Sequence, residues 1–174
     1  MKKVLKFAGL ISAVLALVGF ILIMATPVAK FVIQIGGSKS VTNYAGMNAI
    51  FAAGNVTNGD HSAAFDGKLA WSGLLAWIFV LVALLILIAG VVLPLLKVTA
   101  LEKFSGLLNL VAVCLLVVAG IFAFVSKSAF ATANDWDPGD LEAGAGWIIA
   151  GILFILGGLV AIAPAALEFI GKKK

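Results

Sequence analysis

Arginine is absent from this chain, and cysteine, histidine and tyrosine occur once each. Without arginine there is no planar fork for bidentate recognition of phosphate or carboxylate. The lone cysteine, Cys114, excludes an internal disulfide and a zinc site built on thiolates. It stands in the middle of an apolar stretch and reads as a small buried residue. His61 follows Asp60, with Ser62 and Ser72 nearby, but nothing around them forms a nucleophile elbow or an oxyanion hole. His61 is expected to be an ordinary surface residue. The expectation is a non-enzymatic chain with no catalytic residue and no cofactor.

Charge is scarce as well. Only 11% of the 174 residues are charged, against 63% hydrophobic, and the mean hydropathy is +1.20. A soluble domain of this length could not bury so much apolar surface, so lipid is the expected solvent. The net charge of +4 would suit nucleic acid in a soluble protein. Here the lysines flank hydrophobic runs, where membrane orientation accounts for them, and no nucleic-acid partner is expected.

What the chain does have is long uncharged runs. No charge interrupts the sequence between Lys68 and Lys97, WSGLLAWIFVLVALLILIAGVVLPLLK being its main part. About 20 apolar residues cross a bilayer as a helix. Four such spans are predicted, at residues 7–29, 69–96, 104–126 and 143–167. The first follows Lys2, Lys3 and Lys6 and is similar to a signal peptide, yet it exceeds the ~7–15 residues of an h-region. It is expected to be a helix, kinked or ended near Pro27.

Two outer loops separate the spans, residues 30–68 and 127–142. In the first, FVIQI and SKSVTNY flank Gly36-Gly37 and read as a hairpin; Asn58-Gly59 marks a second. Phe31 to Ile35 could instead prolong the first helix. Tyr44, Met47, Ile50 and Phe51 recur at helical spacing, which predicts a short amphipathic helix. Asn55-Val56-Thr57 is a glycosylation sequon that matters only in a eukaryotic secretory pathway.

Lysine asymmetry sets the expected orientation. The N-terminal segment, the Lys97–Lys103 connector and the C-terminal Lys172–Lys174 hold eight lysines against Glu102 and Glu168. The two loops hold four lysines against six acids. The positive-inside rule then places both termini in the cytoplasm of a multi-pass cell-membrane protein.

The chain also matches itself. Lys6-Phe7-Ala8-Gly9 and Lys103-Phe104-Ser105-Gly106 open the first and third spans, and Ser38-Lys39-Ser40 parallels Ser126-Lys127-Ser128. Trp77 precedes Pro94 as Trp147 precedes Pro164. Either the two halves are a duplication, or similar lipid contexts select similar residues. Ala8, Ser12 and Ala16, and likewise Gly157, Ala161 and Ala165, form small-residue stripes suited to close helix packing within the bundle or between copies. The bulkier second span, Leu87 included, is expected to meet lipid.

Candidate functional residues are few. Asn109, the most polar side chain in a span, fits an interhelical hydrogen bond or a pore lining. Asp135, Asp137, Asp140 and Glu142 could offer oxygens to calcium, but Pro138-Gly139 breaks the EF-hand order, and an acidic solvated turn is the plainer reading. Tyr44, Phe51, Phe65, Phe130 and Trp136 could form the core of a small cap or anchor a partner.

The layout resembles the claudin group of tetraspan proteins: four spans, termini inside, a long first outer loop with strand signals, and a shorter second one. That group's first-loop signature, a Trp followed by Gly-Leu-Trp and two cysteines, is absent. Trp71-Ser72-Gly73-Leu74-Leu75 is its nearest echo. The resemblance implies a structural or adhesive role and carries over no functional residue. The expected fold is an all-α four-helix transmembrane bundle with a small, partly β extracellular cap. Expected partners are the lipid bilayer and other membrane or surface proteins, or the chain itself. A channel or transport component assembled as an oligomer is the alternative.

Overall fold

A computed structural model describes residues 2–35, 37–95 and 105–171. The Lys97–Lys103 connector, Lys172–Lys174 and the side chains of Pro94, Pro164 and Ala165 lie outside what is described. The elements run α1 (Lys2–Ala25), β1 (Pro27–Ile35), β2 (Ser38–Ala45), α2 (Gly46–Phe51), β3 (Asn55–Asn58) and β4 (His61–Ala64). They continue with α3 (Trp71–Leu95), α4 (Ser105–Ala133), β5 (Leu141–Ala143) and α5 (Ala145–Gly171). α1, α3, α4 and α5 each contain a stretch long and apolar enough to cross a membrane.

The four long helices form a four-sided bundle in which α1 and α4 each pack against both α3 and α5. Stripes of small residues on α1 and α5 face inward, and aliphatic side chains beside them face outward. On α1, Ser12, Ala13, Ala16 and Gly19 are buried, while Phe7, Leu10, Val14 and Leu17 are exposed. α5 repeats the pattern, with Gly151, Gly157 and Ala161 inside and Ile152, Leu156 and Leu159 outside. In water such a belt of exposed aliphatic side chains would be a large aggregating patch; in lipid it is the ordinary outer surface.

Close backbone approach explains the inward glycines. A Cβ at Gly120 would lie 2.8 Å from the Gly151 carbonyl oxygen, so α4 and α5 touch backbone to backbone. The Phe154 ring fills the space over Gly19, and Trp147 lies beside Gly73, putting two large aromatic rings along the bundle centre. Ser12 Oγ donates to the Gly157 carbonyl oxygen at 2.7 Å, so the two small-residue stripes meet each other across α1 and α5.

Several expectations need correction. Leu87 is only 2% exposed and packs inside, whereas Leu85 at 61% faces out. Cys114 is exposed on α4, so its apolar neighbourhood is the outer belt rather than the packed interior. The first helix does end near Pro27, but at Ala25 rather than residue 29, and Phe31 to Ile35 lie in β1 instead of prolonging it. α4 continues to Ala133, well past the expected end at residue 126. Ser126-Lys127-Ser128 is therefore helical while Ser38-Lys39-Ser40 is strand, and that pair shares no conformation.

At one end of the bundle the strands form an antiparallel sheet of order β4-β3-β2-β1-β5. Both predicted hairpins are present: Ile35 pairs with Ser38, and Asn58 pairs with His61 around Gly59 at φ 57. β5 brings the second loop onto the first by pairing Phe31 with Leu141. The short helix α2 lies over the bundle end beside α1 and α3. Gly46 N donates to the Thr26 carbonyl at 3.0 Å, and any side chain at Gly46 would strike the Ile23 carbonyl.

Candidate functional site in the cap

Strand register decides which cap residues meet. Ala29, Phe31, Thr42, Tyr44, Val56 and Leu141 alternate onto one face of the sheet, because each is paired with, or two residues from, another of the set. That face lies over the end of α4. Further out it turns polar, where Asn58 Nδ2 donates to Ser40 Oγ at 3.0 Å and to Thr42 Oγ1 at 3.1 Å.

α4 delivers the opposite wall. It ends in a Schellman motif: Trp136 N donates to the Ala131 carbonyl at 2.9 Å and Asp135 N to the Thr132 carbonyl at 3.2 Å. Asp135 occupies the left-handed position, φ 59, which Asp tolerates better than most residues. This turn swings Trp136 back against Tyr44, with ring centroids 5.0 Å apart. Phe130 lies 5.5 Å from Tyr44 and 5.7 Å from both Phe65 and Trp136.

The acidic loop is fastened from beneath. Lys127 Nζ donates to the carbonyls of Pro138 at 2.9 Å and Leu141 at 3.0 Å. Asp137 accepts from Gly139 N at 2.7 Å and starts a single 3-10 turn, Pro138–Asp140. Asn134 accepts from Lys68 N at 2.7 Å and donates to the Lys68 carbonyl at 3.0 Å, joining the two loops. Lys68 Nζ also lies 3.2 Å from Asp135 Oδ2, an exposed pair worth about 0–1 kcal/mol.

These elements leave an open cleft of about 400 Å³. Phe31, Tyr44, Trp136 and Leu141 make its apolar side, and Asp135, Asp137 and Asp140 its acidic rim. Desolvation by burial raises the Tyr44 phenol above its usual 10.0.

The residues singled out in the sequence separate into three groups. Tyr44 and Trp136 line the cleft, but Phe130 has no exposed surface and is the core of the cluster, so it presents nothing to a partner. Phe51 lies apart from them, edge-on to Trp77 at 5.1 Å and 38% exposed. Among the described residues no three acidic, histidine or cysteine side chains converge as metal ligands. The acids are used otherwise: Glu142 lies in β5 opposite Lys30, and Asp137 supports its own turn. Gly157 and Ala161 are buried in helix contacts, and half-buried Asn109 faces α3, its Oδ1 3.8 Å from where a Cβ at Gly90 would be. His61 is exposed in β4, while Ser72 is buried in α3 beside Ser126 Oγ at 3.2 Å, so they form no catalytic group.

Lys127 and Asn134 went unrecognised in the sequence. The polar residues Ser126, Lys127 and Ser128 read as a loop in the sequence, whereas α4 runs through them to Ala133. No family model matches the chain, and no curated protein matches it.

Proposed function

We propose that the protein is a non-enzymatic four-span integral membrane protein whose cap binds a partner protein or another copy of itself. The observation that carries this reading is the division of labour between bundle and cap. The bundle interior is packed with large apolar side chains, including Leu87, Leu116, Phe154 and Trp147. Its buried serines are bonded internally: Ser12 to Gly157, Ser126 to the Phe122 carbonyl at 2.6 Å, and Ser72 to Ser126. The indole N–H groups of Trp77 and Trp147 in the bundle and Asn48 Oδ1 in α2 are the exceptions among the described residues.

Such an interior offers packing and little chemistry for moving a solute. The cap combines exposed Trp136 with the exposed acids Asp135, Asp137 and Asp140, and its layout supports the claudin-group resemblance in pointing to an adhesive or structural role. Lysine asymmetry supports a cytoplasmic location for the termini and an outward one for the cap.

Replacement of Trp136 by Ser tests the reading. Folding in detergent should be retained, while chemical crosslinking of the cap to a partner or a second copy in native membranes should be lost. Unchanged crosslinking, together with a solute flux abolished by Asn109→Leu, would overturn it in favour of an oligomeric channel.

A further inference from the structure

We infer that the cap cleft is a binding site for a small organic ammonium ion. This rests on the proposed role of the cap as a recognition surface and names the chemistry of one ligand that surface takes. Three properties of the cleft converge on that class. Its volume, about 400 Å³, suits a small molecule rather than a bare metal ion. Its walls include the rings of Phe31, Tyr44 and Trp136, whose faces attract a cation that sheds its water easily. Its lining includes three carboxylates and no basic side chain.

The charges around the cleft decide the sign of the ligand. Asp135 is shared with Lys68 at 3.2 Å. Asp137 accepts from Gly139 N with Oδ1 alone, so its charge is not paired with a cation among the described residues. Asp140 has no ion pair among the described residues. Lys127 points into the carbonyls behind the loop and therefore holds the rim in place. An anion would meet the carboxylates, and a calcium ion would find ring faces where it needs six or more oxygens. An alkylammonium group matches both halves: its carbon substituents lie against Tyr44 and Trp136 while its charge is balanced by Asp137 and Asp140.

Two sources could supply such a group, a free solute or the head group of a choline lipid. Choline is the probe, titrated into the full chain in maltoside micelles and followed by calorimetry. The control is its uncharged isostere, in which a tert-butyl group replaces the trimethylammonium. Saturable choline binding is expected, with the isostere weaker by on the order of tenfold. Asp140→Asn should weaken choline by a similar factor, as should Asp137→Asn, which keeps an oxygen for Gly139 N and so preserves the turn. Trp136→Leu should weaken both compounds.

Bound choline should also lower the tyrosinate midpoint of Tyr44, since a nearby cation favours the phenolate. Equal binding of choline and the isostere, or no saturable binding in the millimolar range, would overturn the inference. In nanodiscs, competition by phosphatidylcholine but not phosphatidylglycerol assigns the head group as source; choline binding indifferent to lipid assigns a free solute. Cap crosslinking is measured on the same variants. Absence of saturable choline binding to the unsubstituted chain, with its cap crosslinking intact, therefore tells against the ligand alone and leaves the partner-binding role standing.

Discussion

Ser12 on α1 and Gly157 on α5 are joined by a 2.7 Å hydrogen bond from the serine hydroxyl to the glycine carbonyl, and both residues are buried. The bond requires the two helices to come closer than large side chains would permit. A Cβ at Gly157 would already lie 3.4 Å from the Ser12 carbonyl oxygen and 3.6 Å from Leu15 and Leu116. Packing between these helices is thus set by residue size more than by polarity, as expected where lipid removes the hydrophobic contrast.

Ala161, one turn along the same face and fully buried, is the place to test that packing. Ala161→Leu should overpack the contact and destabilise the bundle by about 1–3 kcal/mol. Leu85→Ala, on the lipid side at 61% exposure, should change stability by less. Leu87→Ala should resemble the core case, at about 2–5 kcal/mol, because Leu87 faces inward. Thermal or denaturant unfolding in detergent orders the three.

Tyr44 is the only tyrosine, so tyrosinate absorbance reports it without interference. Its midpoint should lie above 10.0 in the folded protein and return toward that value on unfolding. The sign follows from linkage. Between the unfolded and folded midpoints the native state holds a proton that the unfolded state has released. The contribution of Tyr44 to stability is complete below pH about 10 and is lost as pH rises through the folded midpoint. An unshifted midpoint would mean that the ring is not desolvated against Trp136 and Phe130.

Lys127 should hold the second loop against α4. In Lys127→Met the carbonyls of Pro138 and Leu141 lose their donors, at a cost of about 1–3 kcal/mol. The local effect should exceed the global one. Amide exchange at Leu141–Ala143 should accelerate, while exchange in α3 stays unchanged.

Much of this arrangement was legible in the sequence. Gly36-Gly37 and Asn58-Gly59 mark both hairpins, and the spacing of Tyr44, Met47, Ile50 and Phe51 marks α2, although Tyr44 itself lies in β2. β5 was hidden because Leu141, Glu142 and Ala143 are too few to show alternation, and only their pairing with Ala29–Phe31 makes them a strand. The inward direction of Leu87 was hidden for another reason. A span apolar on every side has no periodic contrast to show which face meets protein. The cleft depended on the Schellman turn, which here uses Asp135 where glycine would have announced it.

Orientation is tested by single cysteines at Ser38 and Ser128, both exposed, after replacement of Cys114. An impermeant thiol reagent applied to intact cells should label both positions. Protection of both, with labelling only after permeabilisation, would invert the assignment that follows from the lysines.

The most direct test of the central claim compares one cap position with one bundle position. A photoreactive aromatic residue is placed at Trp136, 37% exposed beside the cleft, and separately at Ile152, 46% exposed on the outer face of α5. Illumination in native membranes should give protein crosslinks from position 136, to a partner or to a second copy, and lipid adducts from position 152. Protein crosslinks from 152 with none from 136 would place the interaction in the bilayer and contradict the account.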